Sequence, residues 1–123
     1  MAALAVREKY LATLKSLGDV EQQVDTAVEE YVTRRIIERI KLARVRVSEY
    51  EARYGMAYPA FAERVQRDEQ FYNLVNQQNP LWEQDALGWR HWVEELQHWN
   101  AKLNDTLNKS FDDFLNLIVE FDE

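Results

Sequence analysis

The sequence predicts an all-α fold, in which a long antiparallel helical hairpin is completed by short helices into a small bundle. Three observations carry this. The chain has three Gly and two Pro in 123 residues, too few for the tight turns that an all-β chain needs every ~8–12 residues. In two long stretches, apolar residues step alternately by four and three, the period of helices packed along a seam. The length allows one domain, residues 1–123, since domains cluster near ~100–150 residues.

Ala2 to Leu17 places Leu4, Tyr10, Leu11, Leu14 and Leu17 largely at helical spacing and stops at Gly18, a suitable C′ residue. Asp19 stands where an N-cap belongs, and no Gly or Pro follows until Gly55, so one long helix is expected between them. Within it Ile36, Ile40, Ala43, Val47, Tyr50 and Tyr54 form a 4-3-4-3-4 seam. Upstream, Val20, Val24, Val28 and Val32 repeat every fourth residue, so the stripe drifts around the helix. At ~1.5 Å per residue the helix spans ~50 Å, longer than a compact domain of this size needs. Part of it is expected to pack against another chain.

Pro59 suits the first turn of a short helix running to about Asp68. Phe71, Tyr72, Leu74 and Val75 form an apolar cluster, and Asn76 to Asn79 read as a connecting loop. Asn79 and Pro80 form a helix start. From there Ala86, Trp89, Val93, Leu96, Asn100, Leu103 and Leu107 repeat the seam period. Gly88 costs this helix ~1 kcal/mol relative to Ala. Ser110 with Asp113 is a capping-box pattern that introduces a last short helix carrying Phe111, Phe114, Leu115, Ile118 and Val119, so Asp105 to Ser110 is either a break or merely a bend.

The net charge is −7, but residues 1–54 hold ten Lys/Arg against nine Asp/Glu, and residues 55–123 five against thirteen. General nucleic-acid binding is disfavoured, since phosphate neutralisation supplies most of that affinity. A basic protein partner suits the acidic half. With no Cys, a disulfide scaffold, a thiol nucleophile and thiolate metal sites are excluded. The N-terminal residues lack a signal-peptide pattern, and no run approaches the ~20 apolar residues that cross a bilayer. A cytoplasmic protein without membrane contact is expected.

Three constellations draw attention. Arg35, Arg39 and Arg46 fall in one sector beside the first seam. This basic stripe faces either phosphates or an acidic partner, or else it is a solvated flank that pairs with the protein's own acidic C-terminal helix. The four tryptophans, Trp82, Trp89, Trp92 and Trp99, share one helix, in two pairs each seven residues apart. At least two are expected in the core, and those left exposed are candidate anchors for a partner. His91 and His98 also lie seven apart, ~10 Å along the axis, too far to hold one ion. Glu95 with His98 gives a single Glu-x-x-His, where di-iron bundles use two. Neither metal nor cofactor is expected. Asn100 at a seam position either fixes register or marks where the seam frays. Adjacent carboxylates such as Asp112/Asp113 do not converge, and no phosphate loop or nucleophile triad is recognisable, so the expected protein is not an enzyme.

The stretch from Ser48 to Trp99 contains a charged helix ending in Tyr50-Glu51-Ala52-Arg53-Tyr54-Gly55-Met56, a short helix around Phe61, and a Trp-rich acidic helix. This arrangement resembles small antitoxin-type helical proteins of prokaryotic toxin–antitoxin operons, over less than half of the chain. The resemblance implies a non-enzymatic protein that neutralises a co-expressed toxin by direct binding. No ribbon-helix-helix or helix-turn-helix segment accompanies it, so operator binding is not implied. The function expected is a protein–protein interaction module acting through a helix face, with Trp82, Trp89, Trp92 and Trp99 as the pool of anchors and Arg35, Arg39 and Arg46 as a charged rim. A homodimer is one form it can take. The alternative is a nucleic-acid-associated helical regulator that uses the same basic stripe.

Overall fold

The computed structural model describes the backbone of residues 6–121 and the side chains of residues 6–109. Every described element is a helix: α1 (Glu8–Leu17), α2 (Val20–Tyr54), α3 (Tyr58–Arg67), α4 (Glu69–Gln78) and α5 (Trp82–Phe121). None is long and apolar enough to cross a membrane, among the described residues. The chain divides into two compact units, one ending at Arg35 and one starting at Ile36.

The first unit holds α1 and the opening turns of α2. α1 starts at Glu8 rather than Ala2, with Arg7 extended before it and no side-chain cap. Residues 1–5, where Ala2 and Leu4 were expected in the helix, lie outside the described residues. Asp19 caps α2 as expected, accepting from the Glu21 and Gln22 amides at 3.0 and 3.3 Å. Gln23 Nε2 donates to the Leu14 and Asp19 carbonyls at 2.9 and 3.1 Å, which ties the two helices across the Gly18 turn. No residue of α1 is buried.

The second unit contains the hairpin. Residues of α2 meet residues of α5 in reverse order: Tyr54 bonds Asp85, Tyr50 stacks on Trp89, and Arg39 lies over Trp99. This is an antiparallel pairing of the two seams, as in a helical hairpin. Ile36, Ile40 and Ala43 are buried and Val47, Tyr50 and Tyr54 half-buried, so the first seam faces inward along its whole length. On α5, Trp89 is buried and Ala86, Val93, Leu96, Asn100 and Leu103 are half-buried, while Leu107 is exposed.

Gly55 stops α2 with φ +73°, the left-handed conformation that a side chain disfavours. α3 carries Pro59 in its first turn. Asp68 ends α3 and caps α4, its carboxylate accepting from the Phe71 amide at 3.1 Å. α4 was read from sequence only as an apolar cluster followed by a loop; the Asp68 cap is the signal that makes it a helix. α3 and α4 connect α2 to α5 at the joined end of the hairpin. Phe61, Val75 and Trp89 are buried together, with Tyr54, Tyr58, Phe71 and Trp82 packed around them.

α5 starts two residues later than Asn79–Pro80 suggests, with the Trp82 amide donating to the Asn79 carbonyl at 3.0 Å. It then runs unbroken to Phe121, so of the two alternatives at Asp105 to Ser110 the break, with a separate final helix, is not formed. Thr106 returns its hydroxyl to the Lys102 carbonyl at 2.9 Å, a bond compatible with an uninterrupted helix. The side chains expected in the last helix, from Ser110 onward, lie outside the described side chains.

Candidate functional site

The four tryptophans divide by burial. Trp89 is 0% exposed, enclosed by Tyr50 and Tyr54 stacked at 5.8 and 5.6 Å, Tyr58 edge-on at 5.4 Å and Phe61 tilted at 5.3 Å. It is the centre of the core and is removed from the set of surface anchors, because α3 folds over it. Its indole N–H has no hydrogen-bond partner among the described residues. Trp82, Trp92 and Trp99 are half-buried. Trp82 donates to Asn76 Oδ1 at 2.6 Å and Trp99 to Glu95 Oε2 at 2.8 Å, so both indoles are held in place. His91 and His98 are exposed, each edge-on to the tryptophan that follows it.

Each arginine of the stripe has a neighbour. Arg39 lies 6.0 Å over the Trp99 ring, Arg46 pairs with Glu49 on its own helix at 3.4 Å, and Arg35 already engages a neighbour. The bridge from α2 to the acidic α5 is made by Arg53, which was not singled out in the sequence. Its guanidinium meets Asp85 Oδ2 at 2.9 Å, and the same oxygen accepts from the Tyr54 hydroxyl at 2.6 Å. Burial, and then the bond to Asp85, hold the Tyr54 phenol well above its ordinary pKa. The Arg53 and Arg90 guanidiniums are also raised, chiefly by their hydrogen bonds to Asp85 and Glu94. All three shifts lead away from neutral pH, the opposite of what acid–base catalysis needs.

Two shallow hollows lie on the second unit and share Tyr58, Trp82 and Ala86 in their walls. One, of about 230 Å³, is lined also by Phe61, Ala62, Val65 and Gln66. The other, of about 250 Å³, adds Glu83, Leu87 and Arg90. Together they form an apolar groove between α3 and α5, with Trp82 on its wall and Leu87 68% exposed beside it. Leu81, next to Trp82 in the chain, is 65% exposed. Sequence reasoning singled out Trp82 but missed the groove, because its other wall comes from α3 and Leu87 stands off the seam. Among the described residues no three His, Cys, Asp or Glu side chains gather as metal ligands would. The chain matches no family model, no curated protein sequence and no solved structure.

Proposed function

We infer that the protein is a non-enzymatic protein-interaction module, of the antitoxin-like or adaptor kind, that receives an apolar side chain of a partner protein in the α3–α5 groove. The observation that carries this is the groove itself, an apolar hollow walled by Tyr58, Phe61 and Trp82 with Leu87 exposed at its side. Exposed apolar surface beside an aromatic hollow is the usual form of a protein-binding hot spot. The excess of thirteen acidic over five basic residues in positions 55–123 favours a basic partner, steered by long-range attraction. A nucleic-acid regulator built on Arg35, Arg39 and Arg46 draws less support, since Arg39 covers Trp99 and Arg46 is paired with Glu49.

The test is site-specific photo-crosslinking in the native cell, with the crosslinker at Leu87 and, as a control, at the exposed Lys102. A single protein captured from Leu87 alone, whose reconstituted complex is lost on Leu87→Asp, is the expected result. Equal capture from both positions, or a complex indifferent to Leu87→Asp, refutes the groove. If the captured partner arrests growth on its own and this chain relieves the arrest, the antitoxin-like form of the reading follows; relief that persists in Leu87→Asp counts against it.

A further inference from the structure

The two hollows of the α3–α5 groove share the wall of Tyr58, Trp82 and Ala86 but differ in chemistry. The smaller, which reaches Phe61 and Val65, has no charged side chain in its lining. The larger has two, Glu83 and Arg90. Arg90 is already paired, its Nε donating to Glu94 Oε1 at 3.0 Å. Close by, Asp85 is held by Arg53 and Tyr54, and Glu63 by Arg67. Glu83 is exposed and has neither a hydrogen bond nor an ion pair among the described residues. The larger hollow therefore sets one unanswered negative charge beside two aromatic rings. One of them is fixed in advance: Trp82 donates to Asn76 Oδ1 at 2.6 Å, and the Tyr72 and Phe61 rings cross it at 5.9 and 6.1 Å. A wall ordered before binding loses little entropy on binding.

We propose that the larger hollow takes an arginine side chain of the partner protein, stacked on Tyr58 and Trp82 with its guanidinium on Glu83, next to the apolar side chain seated in the smaller hollow. This rests on the reading of the groove as the partner site and names what that site selects. A guanidinium is planar and weakly hydrated, stacks on aromatic faces and gives a carboxylate two parallel N–H donors. A lysine ammonium is a compact, strongly hydrated point charge that does neither as well. The excess of acidic residues in positions 55–123 draws any basic surface from a distance, and Glu83 is where that attraction becomes a contact. Because the hollows share a wall, the motif read is a pair, an apolar residue and an arginine side by side. Glu83 also lies in the first turn of α5, as does Asp85, where a carboxylate favours the helix dipole. That role bears on the stability of α5 and has no bearing on which side chain a partner must offer.

A phage-displayed library of random peptides, selected on the whole chain, tests the proposal. The peptides selected should pair an arginine with a large apolar residue. In calorimetry of the synthesised peptides, citrulline in place of that arginine, which keeps the shape and loses the charge, should raise the dissociation constant about tenfold or more. Glu83→Gln, with its helical content checked by circular dichroism, should do the same, and the citrulline peptide should bind the natural chain and Glu83→Gln alike. Selection repeated on Glu83→Arg should exchange the arginine for Asp or Glu. Leu87→Asp separates this proposal from the reading beneath it. Peptides that are lost on Leu87→Asp but ignore citrulline, lysine in place of arginine, or Glu83→Gln overturn the arginine and leave the groove standing. Peptides indifferent to Leu87→Asp, or a selection that yields no binder, overturn both.

Discussion

Gly88 sits inside α5, where glycine costs ~1 kcal/mol relative to alanine, and the cause is Tyr50 on the opposite helix. A Cβ built at Gly88 comes within 2.5 Å of the Tyr50 hydroxyl oxygen and 3.5 Å of its Cζ. The second distance is ordinary contact; only the hydroxyl must yield. Relief needs a ~1 Å movement of the oxygen, a swing of about 8° for a ring of that length, within one rotamer well. The swing disturbs the Tyr50–Trp89 stack at 5.8 Å, and such pairs contribute about 0.5–1.5 kcal/mol. In the natural background Gly88→Ala should therefore leave stability nearly unchanged, its helix gain offset by the displaced ring. In a Tyr50→Phe background the obstacle is gone, and Gly88→Ala should stabilise by the full ~1 kcal/mol. Urea denaturation of the four proteins of this cycle measures the coupling, expected at about 0.5–1 kcal/mol. In thermal melts the gain of Gly88→Ala over Tyr50→Phe alone should appear as a rise of about 4 °C. If Gly88→Ala has the same effect in both backgrounds, the close approach of Tyr50 is not the reason for the glycine.

Tyr54→Phe removes the 2.6 Å bond to Asp85 and should destabilise by about 1–2 kcal/mol, with Arg53 left as the carboxylate's partner in urea melts. Because the Tyr54 phenol is raised in the folded state, its contribution is complete below the unfolded phenol value of about 10 and is lost as pH climbs above it. Stability measured against pH should fall more steeply above pH ~10 in the natural chain than in Tyr54→Phe; identical slopes would show that Tyr54 titrates freely. Trp89→Ala opens the centre of the core and should cost about 3–5 kcal/mol, seen as loss of cooperative unfolding. Leu87→Asp, on an exposed position, should change the melting temperature little, within about 0.5 kcal/mol, which makes it a clean probe of binding.

Much of the hairpin was legible because it rests on period alone. The Ile36-to-Tyr54 seam turns inward, and the Asp19 cap and Gly55 stop fall where the residue types put them. What was illegible depended on tertiary choice. The sequence places the end of one helix at about Asp68, but not the second role of that residue as the cap of the next. Ser110 and Asp113 carry a start signal that the backbone passes through, since a capping pattern is only a local preference. Trp89 and Trp92 have the same composition and adjacent turns, yet one is sealed and the other half-open; the difference is α3, which only the fold brings over. The groove has no sequence signature because its walls come from positions 58–66 and 82–90, joined only by the turn of the chain.

All four tryptophans lie beyond residue 81, in the unit that starts at Ile36, whereas the unit ending at Arg35 carries Tyr10 and Tyr31 as its aromatic residues. Tryptophan emission is therefore a spectroscopic label that nature has already attached to one of the two units. Trp89, shut away from water behind four rings, should emit to the blue and resist acrylamide. Far-ultraviolet circular dichroism, by contrast, sums every helical turn. Recording both signals through one melt separates the fraying of the first unit from the collapse of the second, with no dye and no change to the sequence.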